Sequence, residues 1–329
     1  MLEPPPVSEI SPKPLTLRAI IGGVTQLAVS VGLIVWILRR VDLSGLEARL
    51  ADIAFVPLAL AVIVMLAQVA LGAYRWRRIN VILGIEASYG WHCRGAIVGQ
   101  FFGQLLPSTI GGDAYRIWVV ARNLGLGFAT GTLSVISERA LGLAALLAFI
   151  GLTLPLLALL IGVGEAFWGL ALIVASGLVV FASMVAYGKV PFWMSWLKIA
   201  EALMAPAAAL KRILSTNGEF KVLLALGLGI HLLPSLALLF LAAALGGSVS
   251  PLEALVLMPL VILFSTLPIS IAGWGVREGV MVAAFALLGR EAGDAVVLSV
   301  AFGLVMLSIG LLGGLVWGIS RGQSQRKKG

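Results

Sequence analysis

The groups in this sequence that could do chemistry are charged side chains set inside long apolar runs. Two of them close a repeated segment. Leu106-Pro107-Ser108-Thr109-Ile110-Gly111-Gly112-Asp113-Ala114-Tyr115-Arg116 aligns without a gap with Leu267-Pro268-Ile269-Ser270-Ile271-Ala272-Gly273-Trp274-Gly275-Val276-Arg277, at a constant offset of 161 residues from Arg116 to Arg277. Pro107, Gly111 and Gly112 in one copy, and Pro268, Ser270, Gly273 and Gly275 in the other, read as hairpin breaks. A Gly/Pro-interrupted apolar segment at matching places in two halves points to the binding site of a transporter. A helix that starts after such a break turns free N–H groups and its positive end toward it. With an arginine added, that is a site for phosphate or carboxylate. The competing reading is that Arg116 and Arg277 snorkel to the interface, or tie to Asp113 and Glu278.

Glu138-Arg139 lies one to three turns into another apolar run. Neighbours on a helix point about 100° apart, so the two are expected to reach different partners. Glu138 could bind a proton or shape a cavity. His231, beside Pro234, reads either as a proton carrier or as an interhelical polar contact. His92-Cys93 lacks metal partners, and Gly227-Leu228-Gly229 reads as helix packing rather than a nucleotide-binding turn. Trp274, between two glycines, either plugs the second hairpin or packs on lipid. The sequence carries no Ser-His-Asp arrangement, phosphate loop or HExxH. No cofactor and no metal are expected.

The elements that would position these groups are membrane helices. Hydrophobic residues make up 60% of the 329 and charged ones 12%, with a mean hydropathy of +1.07. That composition lies outside the range of soluble domains. Uncharged runs near ~20 residues recur, long enough to cross a bilayer. The fold class is therefore an all-α polytopic membrane protein with about six transmembrane helices plus two re-entrant helical hairpins in an inverted repeat. The spans fall near Ala19–Leu38, Phe55–Ala73, Phe128–Leu160, Ala166–Tyr187, Lys221–Leu245 and Ala295–Ile319. The broken arms are His92–Leu106 with Asp113–Val120, and Pro251–Pro268 with Val276–Leu288. The inversion requires 128–160 to cross once rather than twice. Residues 1–18 read as a polar tail, 19–319 as one transmembrane domain with halves 19–162 and 166–319, and 320–329 as a basic tail. Residues 188–220 hold helical periodicity around Trp193, Trp196, Leu197 and Leu203, which suggests an amphipathic surface helix. Tyr74-Arg75-Trp76-Arg77-Arg78 reads as an interfacial belt.

The net charge of +8 sits mostly in short loops and at the C-terminus, so it sets orientation and meets anionic headgroups rather than nucleic acid. Both termini are then expected in the cytoplasm, with the chain in the inner membrane. Cys93 is the single cysteine, so no intrachain disulfide forms.

At three motifs the chain resembles the lysylphosphatidylglycerol synthase transmembrane-region family, also called flippase-like. These are Leu106-Pro107 with Gly111, Gly112, Asp113 and Arg116; Ser134, Glu138 and Arg139; and Pro268, Ser270, Gly273, Gly275, Arg277 and Glu278. The resemblance covers nearly all of the chain after the N-terminal tail. It implies a membrane domain like the one that, in multidomain members, moves aminoacylated phosphatidylglycerol to the outer leaflet. In those members a soluble aminoacyltransferase makes that lipid. For this chain, with its intramembrane arginines, translocation of an anionic phospholipid or lipid-linked headgroup is expected. Only ten residues follow Ile319 here, so a stand-alone membrane domain is expected. The site residues so implied are Arg116, Arg277, Glu138, Arg139, Asp113 and Glu278, with membrane lipids as partners. Two other functions stay open. One is a membrane-embedded transferase acting on a lipid; the other is a non-transporting partner of a lipid-modifying enzyme. No feature sets an oligomeric state.

Overall fold

The computed structural model describes residues 52–105, 110–189, 200–267 and 270–326, with scattered positions between 25 and 39. All the elements among them are helices: α1 Phe55–Ile82, α2 Tyr89–Leu105, α3 Ile110–Trp118, α4 Gly127–Ile161, α5 Glu165–Tyr187, α6 Ala200–Ser215, α7 Glu219–Ala244, α8 Pro251–Ser265, α9 Val276–Leu287 and α10 Ala292–Arg326. A π-helical turn, Val119–Asn123, prolongs α3. Helix α1, α4, α5, α7 and α10 are each long and apolar enough to cross a bilayer. Their outward faces are as apolar as their cores: Leu159, Leu172, Val179 and Leu315 are exposed. A helix that is hydrophobic all round belongs in lipid, where an α-helix satisfies its own backbone. The expected first span falls largely outside the described residues; the described positions from 25 to 36 within it are helical. Pro107, Pro268, Trp193, Trp196, Leu197 and the 1–18 tail also lie outside them.

Residues 127–161 form one continuous helix of 35 residues. At about 1.5 Å per residue it is roughly 52 Å long, so it crosses once with turns to spare. The segment after the long helix α5 contains α6, whose Ala207, Leu210 and Ile213 are buried against Met184, Leu141 and Leu223. Its apolar stripe is thus covered by protein.

The offset of 161 residues also relates the elements. It carries α1 onto α7, α2 onto α8, α3 onto α9 and α4 onto α10 to within a few residues. The principal packing contacts obey the same exchange. Helix α2 packs on α1, α3 and α10; its mate α8 packs on α7, α9 and α4. Helix α1 packs on its own mate α7. An arrangement that maps onto itself when its halves are exchanged is a pseudo-two-fold, with α1 and α7 beside the axis. Each half's broken pair leans on the last helix of the other half. Glycines allow it: a methyl group on Gly313 would overlap the backbone of Ile97, and one on Gly310 would press on Gln104.

The two breaks differ in construction. The expectation that Gly111 and Gly112 interrupt the first helix is corrected: both lie inside α3. Gly112 is there because α3 crosses α2 so closely that a Cβ would overlap the Gly99 carbonyl. In the second pair the glycines do turn the chain, with φ of 80° at Gly273 and 86° at Gly275, and α9 begins only at Val276. Only glycine adopts such φ without strain. At the entry to α8, Ser250 and Glu253 form a capping box around Pro251. Burial disfavours the Glu253 charge, but the Ser250 N–H and the Arg290 guanidinium outweigh that and hold its carboxyl below the ordinary carboxylate range.

Candidate anion site between the halves

Helix α1 does not end at Ala73. It runs two further turns, and the expected belt of Tyr74 to Arg78 is corrected: Arg75 and Trp76 are buried in the bundle. They are there because partners distant in sequence satisfy them. The Arg75 Nη2 donates to Glu138 Oε1 at 2.5 Å. The Trp76 Nε1 donates to Ser134 Oγ at 2.8 Å, and that hydroxyl donates to Asn80 Oδ1 at 2.5 Å. Asn80 Nδ2 lies 3.0 Å from His92 Nε2, and His92 Nδ1 lies 2.9 Å from the Ser88 carbonyl. A carbonyl only accepts, so His92 carries its hydrogen on Nδ1 and accepts from Asn80. This chain locks Trp76 as a floor; the Arg116 guanidinium stacks over it at 5.2 Å.

Around that floor α3 and α4 assemble the expected residues. Arg116 Nη1 donates to Glu138 Oε2 at 3.1 Å, and its Nη2 donates to Asp113 Oδ1 at 2.5 Å. Arg139 takes the same Asp113 in a fork, Nε to Oδ2 at 2.8 Å and Nη2 to Oδ1 at 2.9 Å. Glu138 and Arg139 thus diverge to different partners, as their helical spacing requires. Close contacts at glycine set the positions: Gly131 of α4 meets the Ile117 carbonyl of α3, and Gly142 of α4 lies against the Arg75 guanidinium. Three arginines (Arg75, Arg116 and Arg139) share two carboxylates (Asp113 and Glu138), so the network carries one excess positive charge. It is graded in depth. Side-chain exposure falls from 57% at Arg139 to 18% at Asp113, 11% at Arg116 and 7% at both Glu138 and Arg75.

His231 of α7 lies next to this network. Its Nε2 donates to the Gly142 carbonyl at 3.1 Å, an interhelical polar contact, and its buried Nδ1 has no partner among the described residues. One turn earlier, Gly227 packs on Ala145, which is helix packing as its sequence suggests.

The matching place in the second half is built differently. Arg277 Nη2 and Nε donate to Glu278 Oε1 at 2.7 and 3.0 Å. Its Nε also reaches Ser299 Oγ at 3.2 Å, and the Ser299 hydroxyl donates to Glu278 Oε1 at 3.0 Å. Glu278 Oε2 accepts the Gly275 N–H at 2.5 Å, which occupies the start of α9 with the protein's own carboxylate. Trp274 lies in the turn with its ring 4.5 Å from the guanidinium. Ser270 is buried in the same turn, and the Ile271 N–H donates to Ser30 Oγ at 2.9 Å. Ser299 stands 161 residues after Glu138, so both arginines face the same position of the following helix. Among the described residues, no hydrogen bond or ion pair joins the Arg116 network to the Arg277 network. Arg75, absent from the sequence-derived set, belongs to the first. No group of three or more potential metal ligands occurs among the described residues.

The family described as the lysylphosphatidylglycerol synthase transmembrane region matches residues 23–314. No curated protein matches the chain. With five described spanning helices and that match over most of its length, this multi-pass membrane protein belongs to the lysylphosphatidylglycerol synthase transmembrane-region family.

Proposed function

We propose that the protein moves an anionic phospholipid, or another lipid with an anionic headgroup, across the bacterial inner membrane. The observation that carries this reading is the graded network of Arg139, Asp113, Arg116, Glu138 and Arg75. It has one cation more than its carboxylates neutralise and leads from an exposed rim into the bundle. Intramembrane charge is costly and marks substrate pathways. A headgroup phosphate entering at Arg139 meets a second arginine, Arg116, on the way in, while its acyl tails stay in lipid. Arg277 and Glu278 hold the turn of the second hairpin closed.

The pseudo-two-fold supplies the motion. The broken pairs α2–α3 and α8–α9 are re-entrant hairpins, and three crossings (α1, α4 and α5) separate α1 from α7. The halves are then inverted, and rocking one against the other exposes the site alternately to the two leaflets. Basic residues after α5 and at the C-terminus favour a cytoplasmic side for those segments, and counting the crossings back puts the N-terminus on the same side in this reading.

The test is lipid flipping in proteoliposomes with labelled anionic and zwitterionic lipids, wild type beside Arg116→Gln. Faster flipping of the anionic lipid, lost in the folded variant, supports the reading. Wild-type rates equal to those of empty liposomes with anionic lipids sink it.

A further inference from the structure

Arg75 is 6% exposed, yet among the described residues its Nε and Nη1 have no hydrogen-bond partner. Its ion-pair partner there, Glu138, takes Nη2 alone. A buried guanidinium with idle N–H groups is costly unless another state of the protein satisfies them. Glycines make room for the guanidinium itself. A methyl on Gly142 would collide with Nη2, and one on Gly227 would lie 3.7 Å from Nη1. Glu138, meanwhile, divides its two oxygens between two arginines, Oε1 to Arg75 and Oε2 to Arg116. A phosphodiester presents the same pair of anionic oxygens, with further lone pairs for the N–H groups that one carboxylate leaves idle.

We propose that Glu138 is a resident counter-ion that an incoming phosphate displaces, and that Arg75 is the deepest anchor of that phosphate. The inference rests on the reading of this network as an anion site. The order follows from depth: the phosphate meets Arg139 and Arg116 first, replaces Glu138 on Arg116, then on Arg75, and engages Arg75 Nε and Nη1. Glu138 rotates away still charged, so no proton is consumed. When the phosphate leaves, Glu138 closes the pair again and resets the site.

A purely structural Glu138 and an exchanging Glu138 predict effects of opposite sign. The full-length protein in phosphatidylcholine nanodiscs is titrated with labelled phosphatidylglycerol. Removing the resident anion by Glu138→Gln should tighten phosphatidylglycerol binding by roughly tenfold. Adding Arg75→Gln should abolish that gain. Inorganic phosphate that competes, and itself shows the Glu138→Gln gain, keeps the exchange and assigns it to free phosphate. Should Glu138→Gln fail to fold, Glu138→Asp, which shortens the reach, must give a smaller gain of the same sign. Unchanged or weaker phosphatidylglycerol binding in the folded variant overturns the proposal, as does a gain that survives loss of Arg75. A gain without lipid flipping retains the exchange and removes the translocation reading; flipping without a gain does the reverse.

Discussion

The two halves place an arginine at the same repeat position and surround it in opposite ways. Arg116 draws its partners from three helices: Asp113 on its own, Glu138 on α4, and through Glu138 a second arginine on α1. Arg277 draws its carboxylate from the next residue, Glu278, and a serine stands where Glu138 stands in the first half. The first network is charged and open at one rim; the second is neutral and buried, with side-chain exposures of 6% and 3% for Arg277 and Glu278. A charge shared between elements can be exchanged when those elements move. A charge paired to its own neighbour stays satisfied wherever its helix goes, which suits a tie. The two halves share one frame, and the carboxylate that stands on the following helix in the first, Glu138, is matched in the second by one on the arginine's own helix, Glu278.

Removing the carboxylate of the second network is expected to have the largest effect. Glu278→Ala strands Arg277 and uncaps α9, at a cost of about 3–5 kcal/mol, read as a lower thermal midpoint that anionic lipid does not restore. Restoration by phosphatidylglycerol would break the comparison, because the second network would then also be an anion site. The double variant Arg277→Met/Glu278→Met should recover most of that loss, since a buried pair replaced by apolar side chains is often neutral. If the pair is a tie, the double variant also keeps its flipping rate.

Smaller effects come from the glycines under the two arginines, Gly142 and its mate Gly303 at the same offset. An alanine at either presses on a guanidinium, at about 1–3 kcal/mol. Gly303→Ala should lie at the upper end, because it meets Trp274 as well as Arg277, while Gly142→Ala should depress anionic-lipid flipping more than stability. Equal effects on both readouts in both variants would erase the distinction. Least of all, Arg78→Gln removes a half-exposed tie to Glu219 between α1 and α7, belonging to neither network. Its cost should stay within about 1 kcal/mol, with flipping unchanged.

Much of this was legible in the chain. Apolar run length gave the helices, because a bilayer's thickness sets how many residues must be apolar. The 161-residue offset located both broken pairs and matched Arg116 with Arg277 before any contact was known. The 100° step between neighbours separated the partners of Glu138 and Arg139. The sequence alone points Arg75 to an interface, because an arginine cluster after an apolar run has that local signature. Gly111 and Gly112 read as a break because glycine's backbone freedom and its small size leave the same letter in a sequence.

What the sequence settles here is local and periodic: helices, their order, the repeat and the charges set within apolar runs. Which carboxylate each arginine takes was settled only on packing. Arg75 and Glu138 are 63 residues apart and meet because glycines let α1, α3 and α4 approach closely. An ion pair's strength depends on distance and on the water excluded around it, and neither exists until the helices are side by side.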